Sequence, residues 1–260
     1  MPTLKLQDVS INYGFDGFPD RPVLLLSNSL GTNFSMWSPQ VESLIQHFNL
    51  LRYDSRGQGG SSVPAGPYSI DQMGHDVLAM LDALKLNRVH FCGLSMGGMV
   101  GQWLGVHAPE RLNRLILSNT AAKIGTPEGW NSRIDAVRQG GMQAVIPAIL
   151  ERWFTPDFRS NFPAVLDRTS SMLQSANIEG YVGSCAAVRD MDQRNDAHNI
   201  TVPTLVICGT HDLVTPPSEA DFLVAQIRSS QLLTLPAAHL ANIEASSEFN
   251  QAVLDFLLHE

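Results

Sequence analysis

Cysteine is scarce in this chain, with three in 260 residues, at positions 92, 185 and 208. They form no C-x-x-C pair and no even-numbered framework, which argues against a disulfide scaffold. Reduced core thiols in a cytoplasmic protein are the expected state. Basic residues are outnumbered, 17 Lys and Arg against 25 Asp and Glu, for a net charge of −8. Such a field argues against nucleic acid or an anionic membrane surface as partner. It does not exclude a small anionic ligand, because a few local arginines can outweigh the global field. Long apolar runs are missing as well, and none approaches a membrane span. Met1 leads into Pro2-Thr3-Leu4-Lys5-Leu6, with no basic stretch ahead of an apolar signal core. There are no internal repeats and no low-complexity tracts. No feature of the sequence sets an oligomeric state.

What is present suits one sizeable α/β domain: 44% of the residues are apolar. Leu4–Gln7 and Val9–Tyr13 alternate like the strands of a hairpin. Val23–Leu26 is a continuous apolar run, as expected of a strand covered on both faces. Further strands are predicted at Asn49–Tyr53, Arg88–Cys92, Leu115–Leu117, Thr204–Cys208 and Leu232–Leu235. Helical spacing appears over Ile70–Leu84, Gly98–His107 and Ser246–Leu258, the last with Ser246 as a candidate N-cap. Strands alternating with helices imply βαβ units and a mostly parallel, eight-stranded sheet. From Gly125 to His198 no strand is evident, and helical spacing recurs around Ile134, Val137, Met142, Val145 and Ile149. This stretch exceeds an ordinary crossover. The predicted organisation is a core of residues 1–124 and 199–260 with a helical cap inserted at 125–198.

Gly93-Leu94-Ser95-Met96-Gly97 matches G-x-S-x-G between a strand and a helix. That pattern sets a serine at the tip of a tight turn, with small residues on either side to avoid a clash. A serine hydroxyl is a weak nucleophile. It needs a base, and the base needs a carboxylate to orient it. Asp212 follows one late strand through Gly209-Thr210-His211, and His239 follows the next through Pro236-Ala237-Ala238. Order and position suit an orienting acid and a base. Other histidines fit less well. His47, His75 and His107 lie in predicted helices, His90 within a strand, His198 in a connector and His259 at the tail. His211 is the serious rival. Asp212 also has a plain structural reading, as a cap for the helix after Thr215-Pro216-Pro217. An oxyanion hole needs two backbone N–H groups. Met96, after the serine, is one candidate. Leu30, in the loop Ser27–Asn33, is the other. Asp54 and Arg56 read as turn residues.

Taken together, Asn28-Ser29-Leu30-Gly31, Asp54–Ser61, Gly93–Gly98 and Gly209–Asp212 resemble the α/β-hydrolase superfamily over essentially the whole chain. More narrowly they resemble the 3-oxoadipate enol-lactonases. Asn28-Ser29 stands where many relatives have His-Gly, and Gly125–Trp130 with Arg133 is also similar to that branch. The resemblance implies hydrolysis of a small anionic lactone, 3-oxoadipate enol-lactone, to 3-oxoadipate in aromatic catabolism. It implies a triad of Ser95, Asp212 and His239, with no cofactor and no metal. The substrate carboxylate calls for a cation, for which Arg133 and Arg138 are candidates; Trp130 and Trp153 are further substrate-binding candidates. The same core motifs also suit a general carboxylesterase or a carbon–carbon bond hydrolase. A non-catalytic ligand-binding protein on the same fold is the alternative of another class.

Overall fold

A computed structural model describes residues 2–258; His259 lies outside them. The strands are β1 (Thr3–Lys5), β2 (Ser10–Asp16), β3 (Val23–Ser27), β4 (Asn49–Tyr53), β5 (Val89–Leu94), β6 (Leu112–Ser118), β7 (Thr204–Gly209) and β8 (Ser230–Leu235). They form one eight-stranded sheet in the order β1-β2-β4-β3-β5-β6-β7-β8. β2 pairs antiparallel with β1 and β4; the remaining neighbours are parallel. This is the mostly parallel sheet that the apolar runs predict. Leu24, Leu25 and Leu26 of β3 and Phe91 and Cys92 of β5 are fully buried, because helices cover both faces.

Most strands shift by one or two residues at an end, and two differ by three. β2 starts at Ser10 and runs on to Asp16, because Tyr13–Asp16 continue the ladder onto Tyr53–Leu50. Gly14 and Asp16 hide that pairing from a reading based on alternation. β6 starts at Leu112, opposite Val89, although polar Asn113 and Arg114 interrupt its apolar pattern.

The helices are α1 (Ser38–Leu44), α2 (Ile70–Ala83), α3 (Met96–His107), α4 (Pro127–Gly140), α5 (Ile146–Trp153), α6 (Pro156–Asn161), α7 (Pro163–Gln174), α8 (Ile178–Asp190), α9 (Pro217–Gln226), α10 (Ala241–Glu244) and α11 (Ser246–Leu258). Local chemistry sets their starts. Ser69 and Gln72 form a reciprocal capping box on α2. Thr126 caps α4, Pro127 pre-sets its first turn, and Gly141 ends it at φ 66°. Ser246 is the first helical residue of α11 rather than a residue flanking it. Between β6 and β7 the described residues form α4–α8 and no strand. No helix of the described residues is long and apolar enough to cross a membrane.

The sheet order positions the site. From β3 the chain steps to β4 on one side and then crosses to β5 on the other. The carboxyl ends of β3 and β5, in register at Ser27 and Gly93, therefore diverge into a crevice, where α/β sheets place ligands.

Candidate active site

Ser95 ends the turn from β5 into α3 at φ 57° and ψ −114°. A non-glycine residue there carries backbone strain, and neighbouring contacts hold it. Ser95 N–H donates to Ser118 O at 2.9 Å, and Thr120 Oγ1 donates to Ser95 O at 2.8 Å. The flanking glycines answer to close approach. A Cβ on Gly93 would lie 2.1 Å from Gly97 O, and one on Gly97 would lie 2.2 Å from Ser27 O. Among the described residues the Ser95 hydroxyl has no hydrogen-bond partner, which leaves it free at the buried tip of the elbow.

Asp212 and His239 sit in the loops that leave β7 and β8. His239 Nδ1 lies 2.8 Å from Asp212 Oδ2, and both side chains are buried. Asp212 Oδ1 accepts N–H bonds from Val214 and Thr215, at 2.8 and 3.0 Å. Oδ2 also accepts from the Thr215 hydroxyl at 2.7 Å and from Asn119 Nδ2 at 3.0 Å. The two readings of Asp212 thus coexist. One oxygen organises the turn ahead of α9, and the other faces the imidazole. Burial alone would raise this carboxyl, but the charge of His239, its hydrogen bond and those from Thr215 and Asn119 outweigh burial and lower it to about 2. His211, the rival base, is exposed and its Nδ1 lies 3.0 Å from Thr210 Oγ1.

Leu30 and Met96 present buried backbone amides on either side of the crevice. Ser29 and Gly31 give their N–H groups to Met36 Sδ (3.3 Å) and Gln58 Oε1 (3.1 Å). The Leu30 N–H between them has no acceptor among the described residues. Met96 is the first residue of α3, where an N–H has no intrahelical partner. Asn28 is structural: its Nδ2 donates to Tyr53 O at 2.8 Å, and its Oδ1 accepts from Trp37 Nε1 at 3.0 Å. Asp54 and Arg56 are structural as well. Asp54 accepts from Phe34 and Gly60 N–H, and Arg56 pairs with Asp76 and Asp8.

α4 and α5 flank an open cavity of about 410 Å³ lined by Trp130, Arg133, Ile149 and Arg152, together with Leu213 and Val214, which follow Asp212 in sequence. Among the described residues no Asp or Glu lines it. Arg133 Nε donates to the Tyr181 hydroxyl at 2.7 Å, and Nη2 contacts the same oxygen. Its guanidinium also lies over Trp130, 5.3 Å from the ring centroid. Arg152 reaches the cavity from α5. Partial burial, then the nearby charge of Arg133, push its guanidinium down from the ordinary arginine value. Neither arginine forms a salt bridge among the described residues. Arg138 lies apart, in a second cavity with Asp135, Glu179 and Arg189. Trp153, at the end of α5, stands beside the candidate base, its ring centroid 6.2 Å from that of His239. Trp130 gives its indole N–H to Ile124 O at 2.7 Å and offers the cavity its ring.

Sequence reasoning missed Arg152, Asn119, Gln58 and Tyr181. Gln58 lay inside the loop read as a turn, and Arg152 stood beside Trp153, which was singled out. Asn119 carries one usable signal. It directly follows β6, as Ser95, Asp212 and His239 follow their own strands within a few residues.

Sheet order, elbow and loop positions define an α/β hydrolase. The chain belongs to the family described as alpha/beta hydrolase fold, whose model matches residues 22–246. Within it, the chain is 45% identical to 3-oxoadipate enol-lactonase 2 of Acinetobacter baylyi over 251 residues, 96% of this chain and 94% of that one. It is 35% identical to 3-oxoadipate enol-lactonase 1 of the same organism, with the same coverage. The crystal structure of the enol-lactonase from Burkholderia xenovorans matches 99% of this chain and 100% of its own, with a TM-score of 0.98 at 43% identity.

Proposed function

We propose that this hydrolase opens 3-oxoadipate enol-lactone to 3-oxoadipate through an acyl-enzyme on Ser95. His239 takes the Ser95 proton as Oγ attacks the lactone carbonyl. Asp212 stabilises the imidazolium and fixes its tautomer by holding Nδ1. The oxyanion rests on the free N–H groups of Leu30 and Met96. Collapse breaks the ring C–O bond, and the departing enolate takes the proton from His239 and tautomerises to the ketone. Water, deprotonated in turn by His239, then hydrolyses the acyl ester. In this reading residues 125–198 form the cap that recognises the substrate.

The observation that carries the substrate assignment is the cavity between α4 and α5. It holds Arg133 and Arg152 with no carboxylate among its lining residues, in a protein of net charge −8. Two cations brought together and left unpaired repel one another until an anion arrives, and a guanidinium fork matches a carboxylate. Arg133 is the primary contact, held in place by Tyr181. The enol-lactonase relatives agree with this chemistry.

The test compares kcat/KM on the enol-lactone and on a neutral p-nitrophenyl ester for wild type, Arg133→Ala and Arg138→Ala. Loss of a charge-assisted contact costs about 1.5–3 kcal/mol. Arg133→Ala is therefore expected to lose roughly ten- to a hundredfold on the lactone and much less on the ester. Arg138→Ala is expected to leave both rates near wild type. Equal losses on both substrates for Arg133→Ala would remove the carboxylate from the assignment and favour a general esterase.

A further inference from the structure

A second carboxylate stands close to His239 without touching its ring. Glu244 ends the short helix α10, five residues beyond the histidine. Its Oε2 accepts the N–H of Ala238, the residue before His239, at 2.8 Å. Its Oε1 accepts the N–H of Thr155 at 3.1 Å and also contacts the Thr155 hydroxyl. Thr155 lies just beyond α5, the helix that contributes Ile149 and Arg152 to the cavity and ends on Trp153 beside the imidazole. One carboxylate therefore joins the loop of the base to the helices over the site.

The surrounding bonds make this joint stiff. Leu240 N–H donates to Trp153 O at 3.1 Å, so both residues flanking His239 are tied to the Trp153–Thr155 segment. Ala238 O accepts from Asn119 Nδ2 at 3.1 Å, and the same amide reaches Asp212. α10 itself is anchored below: Asn242 Nδ2 donates to Met36 O at 3.0 Å, and Gln40 Nε2 donates to Asn242 O at 2.6 Å. Glu244 thus projects from a fixed platform. Oε2 takes the Ala238 N–H and a longer bond from Thr155 N–H at 3.4 Å, and Oε1 takes the closer Thr155 contacts; an amide side chain, with one acceptor atom, cannot reproduce this pair of acceptors.

We propose that Glu244 is a positioning residue for His239, and that with Thr155 it locks the imidazole to the substrate-recognising helices. The proposal rests on the reading of His239 as the base that activates Ser95. Its consequence is that the seat of the cap and the aim of the base are one mechanical unit. Disturbing the joint misdirects the imidazole, while Arg133 stays anchored by Tyr181.

The test uses an alkyl fluorophosphonate, which reports activation of the serine independently of the lactone. The maximal labelling rate and the half-saturating concentration are measured for wild type, Glu244→Ala, Thr155→Val and Thr155→Ser. A wild-type enzyme that is not labelled at Ser95 would sink the triad reading itself. With wild type labelled, Glu244→Ala is expected to lose about ten- to a hundredfold in maximal rate, the scale of a small misplacement of a reacting group. The half-saturating concentration is expected to stay unchanged. Thr155→Val, which keeps the Glu244 carboxylate but also removes the Thr155 cap of α6, is expected to lose rate in the same direction. Thr155→Ser, which keeps the hydroxyl, is expected to restore it. An undiminished maximal rate in Glu244→Ala or Thr155→Val would overturn the inference. So would a Thr155→Ser variant as slow as Thr155→Val.

Discussion

Asp212 is a buried carboxylate that organises a turn and, in the proposed reading, also orients the base. Its pKa of about 2 lies below the ordinary 3.8, since burial is outweighed by His239 and four hydrogen-bond donors. A depressed carboxyl stabilises the fold above its ordinary value, and this contribution is lost as pH falls from about 4 through about 2. Asp212→Asn is expected to remove that acid-range loss from urea midpoints measured against pH. It is also expected to lower kcat by a factor on the order of 10⁴, because an amide favours the wrong imidazole tautomer. His90 titrates in the other window. Burial, with the charges of Arg114 and Arg88, lowers its imidazole to about 4. Between about pH 6.5 and 4 the unfolded chain binds a proton that the native state refuses, so stability falls as pH drops, by at most about 1.4 kcal/mol per pH unit. His90→Leu is expected to flatten that part of the profile; an unchanged slope would mean His90 is protonated in the fold. The placement of Ser95, Asp212 and His239 after strand ends was legible because apolar strands and a five-residue motif announce it locally. Arg152, Asn119 and Glu244 were not, because their partners lie 19, 93 and 89 residues away in sequence, at Arg133, Asp212 and Thr155.

At the scale of elements, apolar runs and turn residues located the parallel strands and α11 well. They failed where pairing extends through polar residues, as in β2 and β6. Helical spacing found α4 and α5, but gave no sign of how α8 returns to the sheet. α8 does so by close approach: a Cβ on Gly180 would lie 1.9 Å from Gly57 O. Its neighbour Tyr181 packs on Gly31 of the Leu30 loop, where an added Cβ would lie 2.7 Å from the ring. Gly180→Ala is therefore expected to push α8 off the loop. Overpacking of this kind costs about 1–3 kcal/mol, or roughly 2–6 °C in a chain of this size. A calorimetric scan with an unchanged Tm would show that α8 is free to move. Activity on the lactone is expected to fall with it, since Tyr181 also holds Arg133.

The whole molecule sets an acidic field around a small basic cavity. At low salt that field repels an anionic lactone over a Debye length of about 30 Å, which shrinks to about 8 Å at physiological ionic strength. In the proposed reading the arginines act at contact distance, where screening is weaker. Raising salt over that range is thus expected to leave kcat/KM on the lactone flat or slightly higher. A steep fall would mean that long-range attraction delivers the substrate. The fold class was legible as a whole, because alternating elements leave few ways to build a parallel sheet. The proposed substrate was legible only through family likeness; the juxtaposition of Arg133 and Arg152 in one cavity, which supports the proposal, was not. The most direct test of the central claim is intact-mass analysis of the enzyme acid-quenched during turnover of 3-oxoadipate enol-lactone. Opening a ring expels no fragment, so the expected adduct has the mass of one whole lactone, on the peptide that contains Ser95, and it is absent from Ser95→Ala. Turnover that persists in Ser95→Ala, or an adduct on another residue, would contradict the account.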